Sequence, residues 1–204
     1  LIRDLRLRSV FALAAISAAV GIFSLLVGSL GNAMPQSGSA LPNAAAVVKP
    51  QAYVSLDPVP RGKAFEAAVV VDIARGFHMN SHKPTDEYLI PTTITPQPPS
   101  GIKLVDTVYP EGRLEKFAFS PTKPLDVYTG SVTLKLKLLA QAGAPLGPAT
   151  IPVVLRYQAC NNAACLPPVK VPVDVQLKIS AAGTAARAVH PEVFSASAPA
   201  NLLK

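Results

Sequence analysis

The sequence predicts an all-β, antiparallel domain, and three observations carry that prediction. Apolar residues recur at every second position in several separate stretches, which is the period of a strand with one buried face. The chain holds 21 prolines, many of them between those stretches, where they mark turns and exclude helix interiors. After the first 30 residues no segment shows the three-and-four spacing of an amphipathic helix.

The N-terminal segment stands apart from this pattern. Arg3, Arg6 and Arg8 precede an uncharged apolar run from Ser9 to Leu30, and the small residues Gly31, Asn32 and Ala33 follow it. A basic flank, an apolar run and small residues make residues 1–33 an export signal with cleavage near Ala33. The same run is long enough to span a bilayer as an uncleaved anchor. Either way the positive flank stays inside and the rest of the chain is exported. Residues 34–50, MPQSGSALPNAAAVVKP, read as a linker because they are small, polar and broken by proline. The folded domain is expected over 51–180, and the alanine-rich residues 181–204 read as a flexible tail.

Within the domain the strands come in order. A first one is expected over 52–56. Phe65, Ala67, Val69, Val71 and Ile73 then alternate on one face of a longer strand. Strands are expected over 90–95 and 102–108, separated by the turn-forming run Pro96 to Gly101, with Asp86, Glu87 and Tyr88 as a turn before them. Val132, Leu134, Leu136 and Leu138 alternate with Thr133, Lys135 and Lys137, and Ile151 to Tyr157 leads straight into Cys160. Val169, Val171, Val173, Val175, Leu177 and Ile179 complete the series. Pro172 interrupts that last strand and cannot donate a ladder hydrogen bond, so the strand is expected at an edge or bulged there. Seven or so short strands in this span favour an antiparallel sandwich of immunoglobulin type.

Charge excludes one large class of partner. Setting aside three arginines and Asp4 of the export segment leaves 16 basic and 11 acidic residues, a net +5 spread singly along the chain. A nucleic-acid surface needs basic residues clustered and interleaved with aromatics, and no such cluster occurs.

The chemistry concentrates in YQACNNAACLPP (157–168), which holds both cysteines of the chain, Cys160 and Cys165. Three readings stay open on the residues alone. As a structural disulfide the pair closes a short loop worth only about 2 kcal/mol, in a secreted binding module without catalysis. As a redox pair it alternates between dithiol and disulfide, with one sulfur open to a partner's thiolate. As a periplasmic copper site it would draw on His78, Met79 and His82, although paired Cys and His spacings of zinc sites are absent and no His or Met closely follows Cys165.

YQACNNAACLPPVKVPV resembles the active-site hairpin of the N-terminal periplasmic domain of the thiol:disulfide interchange protein DsbD, the disulfide bond corrector family. GFHMNSHKPTDEYLIPTTI (76–94), VYPEGRLEKFAF (108–119) and LDVYTGSVTLKLKL (125–138) resemble further pieces of that family in the same order. The resemblance implies an immunoglobulin-like exchange domain without an organic cofactor or metal. Such a domain takes electrons from a membrane-embedded DsbD-like donor and reduces periplasmic thioredoxin-like acceptors of the disulfide isomerase or cytochrome c maturation type. It implies that Cys165 attacks the partner's disulfide and Cys160 resolves the intermediate.

The family also carries a cap loop whose aromatic residue shields the sulfurs. Leu114 to Phe119 is the matching stretch, which implies Phe117 as the shield, with Phe119 beside it and Glu115 as the neighbouring acid. A carboxylate near a thiol disfavours the thiolate and slows premature reaction; Lys116, where some relatives have a second acid, acts in the opposite direction. His78 and Asn80 fall where some relatives have tyrosines lining the site, and Tyr157 is expected to pack beneath the hairpin. The transporter-like and thioredoxin-like domains of full-length DsbD have no counterpart in these residues, so the chain is expected to be one component of a relay, or a fragment of one.

Overall fold

The computed structural model of the chain describes residues 42–195. The export signal or anchor of residues 1–33, the first eight residues of the expected linker (34–41) and the last nine residues of the tail lie outside the described residues.

Fourteen extended segments follow a short 3₁₀ turn at Ala44–Ala46. They are β1 (Val48–Val54), β2 (Leu56–Asp57), β3 (Val59–Pro60), β4 (Ala64–Ile73), β5 (His78–Asn80), β6 (Thr93–Pro96) and β7 (Ile102–Val108). After these come β8 (Arg113–Phe117), β9 (Ser120–Tyr128), β10 (Ser131–Ala140), β11 (Gly147–Tyr157), β12 (Ala159–Cys160), β13 (Val169–Ser180) and β14 (Arg187–Ala188). One sheet has the order β1-β4-β10-β7 and a second the order β3-β13-β11-β6. A third, smaller sheet, β12-β5-β9-β8, carries the cysteine hairpin.

The period-two pattern explains the core directly. Phe65, Ala67, Val69, Val71 and Ile73 of β4 and Leu134, Leu136 and Leu138 of β10 are buried, and they merge with Ile151, Val153 and Leu155 of β11 and Val173, Val175, Leu177 and Ile179 of β13. This is the antiparallel β-sandwich expected from the alternation, since each strand can bury one face only by meeting the other sheet. Burying a Val, Leu or Ile side chain contributes roughly 1.5–3 kcal/mol. Pro172 sits opposite Val154 of β11, while the other edge of β13 is paired only at Ile179 and Ser180 by β3, so the missing N–H faces no strand.

The edges of the domain differ from the reading of the sequence. β1 begins at Val48, and Ala44, Val47 and Val48 are already buried in the core, so the fold starts inside the stretch read as linker. Beyond Ser180, Arg187–Ala188 pairs with β2 and Val189 N donates to Ser55 O, followed by a single helical turn at Pro191–Phe194. The stretch read as a flexible tail is therefore tied to the sandwich as far as Ser195, because β2 offers an unpaired edge. Alternation missed β14 because two residues carry no period.

Candidate functional site

The cysteines occupy the tip of one long hairpin. β11 and β13 pair from Gly147 opposite Ile179 to Tyr157 opposite Val169, and beyond Tyr157 the chain passes through Gln158 into β12 and the small sheet. Leu166 N donates back to Ala159 O at 2.8 Å, and Leu166 is buried, which anchors the returning strand. Between them the turn is built by Asn161, whose Oδ1 accepts from the N–H groups of Ala163 and Ala164, each at 2.9 Å. An asparagine side chain is suited to this because it replaces a backbone acceptor within the turn.

Cys160 and Cys165 are joined by a disulfide, with Cα atoms 3.9 Å apart. The two halves of the bond sit in unlike surroundings: Cys160 is 1% exposed, whereas Cys165 is exposed. The asymmetry follows from pairing, since Cys160 lies within the ladder of the small sheet and Cys165 follows the turn at its rim.

His78 stands directly opposite Cys160 in the β12–β5 pair. Its imidazole is 3% exposed and its Nε2 has no hydrogen-bond partner among the described residues. Burial penalises the charged ring and lowers its pKa from the usual 6.5 to about 4. The next residue, Met79, points the other way, fully buried in the sandwich core, so β5 joins the core to the site.

The stretch expected to be a cap loop forms a β-hairpin. β8 and β9 pair from Arg113 opposite Val127 to Phe117 opposite Ser120, with a shift of register between Glu115 and Phe117. Phe117 is buried with Leu89, Leu125 and Val127. Its ring stacks on the imidazole of His78, centroids 3.9 Å apart, and Phe119 continues the stack at 5.5 Å from Phe117. Phe119 is 43% exposed, and Lys116 is exposed. Glu115, His78, Phe117, Gly76, Phe77 and Asn162 are among the residues lining a cleft of ≈ 500 Å³ next to the cysteine turn.

The structure thus brings Cys160, Cys165, His78, Phe117 and Glu115 into one region, and leaves two of the residues singled out in the sequence in supporting positions. Asn80 is fully buried and donates from Nδ2 to Ile90 O at 3.0 Å, while its backbone oxygen accepts from Thr92 Oγ1 at 2.6 Å, so it fastens the segment after β5. Tyr157 is buried in the main core and donates from its hydroxyl to Ala44 O at 2.9 Å. Burial pushes its phenol up to about 12.

Sequence reading overlooked Gln158, which donates from Nε2 to Leu166 O at 3.3 Å and accepts from Asn80 Nδ2 at 3.4 Å, tying the hairpin base to β5. No spacing signal marks such a residue. His82, grouped with Met79 as a possible metal donor, stacks on Tyr109 with centroids 3.6 Å apart and holds Thr92 O at 3.1 Å from Nδ1. Among the described residues no three His, Cys, Asp or Glu side chains gather in a metal-holding group.

Known proteins resemble this chain in the same region. Residues 44–177 match the family described as thiol:disulfide interchange protein DsbD, N-terminal. The reduced N-terminal domain of Neisseria meningitidis DsbD is similar at 19% identity and TM-score 0.40, over 72% of this chain and 94% of that one. The N-terminal periplasmic domain of Proteus mirabilis ScsB is similar at 14% identity and TM-score 0.41, over 62% of this chain and 44% of that one. No curated protein sequence matches the chain. With the family match running from the first buried residue, Ala44, through the cysteine hairpin and into β13, the chain belongs to the DsbD N-terminal family of thiol:disulfide interchange domains.

Proposed function

We propose that the domain works in the periplasm, taking reducing equivalents from a membrane-embedded DsbD-like donor and passing them to thioredoxin-like acceptors through reversible opening of the Cys160–Cys165 disulfide. The observation that carries this reading is the unlike exposure of the two cysteines within one short turn. Exchange proceeds by attack of a thiolate on a disulfide sulfur, which needs access to one sulfur and a second thiol held nearby to resolve the intermediate. Exposed Cys165 suits the first task. Buried Cys160, held opposite His78, suits the second.

On this reading the cap controls access to the buried side of the pair, at Cys160 and His78. Phe117 and Phe119 layer over His78 beside the pair, and docking of an acceptor displaces them. Glu115 and Lys116 then set the charge at the rim. The export segment of residues 1–33 delivers the domain, either cleaved or kept as a tether.

The test is the reduction potential of the pair, measured by equilibrating residues 34–204 in graded thiol buffers. A value between about −120 and −270 mV, the range of exchange proteins, supports the relay; one below about −300 mV marks a structural bond and a binding module instead. Trapping assigns the roles: Cys160→Ser is expected to hold a thioredoxin-like acceptor as a mixed disulfide, and Cys165→Ser is not. Capture by Cys165→Ser alone reverses the roles, and capture by neither removes the relay.

A further inference from the structure

We propose, resting on the reading of the pair as a working one, that His78 is the proton acceptor for the Cys160 thiol when the mixed disulfide on Cys165 is resolved. Cys160 must become a thiolate before it can attack, yet it is 1% exposed, so bulk water is poorly placed to take its proton. The register of β12 on β5 puts His78 directly opposite it. Side chains opposite one another in an antiparallel pair share a face, with Cβ atoms roughly 4.5–5.5 Å apart. The buried Nε2 of His78 makes no hydrogen bond among the described residues, so it is not committed to holding the fold.

The surrounding groups leave this role to His78. Arg75, in the turn before β5, and Glu115, on cap strand β8, are the charged residues that share its cleft, and Asn162 enters from the cysteine turn. Glu115 is paired with Leu125 across the cap hairpin, not with Cys160. On β9, the strand on the far side of β5, Tyr128 stands opposite Met79 and Val127 opposite Asn80.

Stacking makes the role conditional on the cap. With Phe117 against the ring, burial keeps the imidazole a weak base, its pKa about 4. Displacing Phe117 admits water, removes that penalty and returns the ring toward about 6.5. The movement that opens the buried side of the pair, at Cys160 and His78, therefore also produces the base. In the step itself the Cys160 S–H proton passes to His78 Nε2, and the Cys160 thiolate attacks Cys165 Sγ. The bond between Cys165 and the acceptor sulfur breaks, and that sulfur leaves with the electron pair and is protonated from the imidazolium. The two cysteines are oxidised to the disulfide and the acceptor is reduced.

The experiment reacts the fully reduced protein with oxidised glutathione from pH 5 to 8, with acid quench and mass spectrometry to separate the mixed disulfide from the closed Cys160–Cys165 bond. Formation of the mixed disulfide reports on Cys165; its decay reports on His78. The expected result is a decay rate that levels off above about pH 6.5 in the wild type. In His78→Gln, where loss of the stack on Phe117 is expected to speed formation by no more than about tenfold, decay is expected to be slower by roughly 10²-fold and to follow only the thiol's own ionisation. A wild-type decay without an inflection between pH 5 and 8 overturns the proposal whether or not the variant folds, as does an unchanged profile in a folded His78→Gln. Absence of any mixed disulfide overturns the exchange reading and this inference with it, whereas formation of the mixed disulfide followed by a His78-independent decay overturns the inference alone.

Discussion

The imidazole of His78 and the ring of Phe117 lie face to face, 3.9 Å between centroids and 19° between planes. One belongs to β5 of the small sheet and the other to the β8–β9 hairpin, so this stack is where that hairpin meets the strand paired with Cys160. An aromatic pair of this kind contributes about 0.5–1.5 kcal/mol beyond the area it buries.

Phe117→Ala removes the stack. We expect reduction of the disulfide by dithiothreitol to speed up by a few-fold to about tenfold, the equivalent of that stacking energy. The His78 resonance should titrate closer to about 6.5 once its burial is relieved. Stopped-flow reduction and NMR titration of the same sample measure both.

The stability of the oxidised protein should fall as pH falls through the window from 6.5 to 4. The folded imidazole titrates at about 4 and the unfolded one at 6.5, so in that interval the unfolded chain binds a proton that the folded one does not. Stability therefore rises with pH across this range, and the contribution of His78 is fully present above it. Urea unfolding at pH 7.5 and 4.5 should show the wild type losing about 2–3 kcal/mol more than His78→Phe.

Asn161→Ala leaves the N–H groups of Ala163 and Ala164 without their shared acceptor. The loss should be about 1 kcal/mol, typical of one net hydrogen bond. Because that turn holds the cysteines together, the pair should become easier to reduce, by up to about 20 mV for a loss of that size. Equilibration in glutathione buffers reads the shift.

Gly101→Ala tests the sandwich apart from the site. Gly101 has φ +83°, and a Cβ there would lie 2.4 Å from the backbone Cα of Ala144. Left-handed backbone and contact with main chain together should lower stability by more than about 2 kcal/mol, seen as a lower urea midpoint with the reduction potential unchanged.

Much of the sandwich was legible because burial on one face writes a period of two into the chain. Leu134, Leu136 and Leu138 announced β10, and the valines from 169 onward announced β13, before any partner strand was known. Short strands carry too few residues for a period. β5 and β12 escaped notice for that reason, and so did β8 and β9, whose exposed residues and prolines give no sustained alternation, although all four build the small sheet of the site. Asn80 was placed in the site lining by likeness of position and Tyr157 was expected beneath the hairpin; Asn80 donates to Ile90 O and Tyr157 to Ala44 O.

By itself the sequence determined the strand faces, the antiparallel class and the presence of two cysteines within one turn, since each depends on neighbours in the chain. Only the tertiary structure decided that Cys160 is buried while Cys165 is exposed, that His78 stands opposite Cys160, and that Phe117 stacks on that histidine. Those relations come from β-ladder register between segments distant in sequence, and shifting a strand by one residue would turn every side chain to the other face.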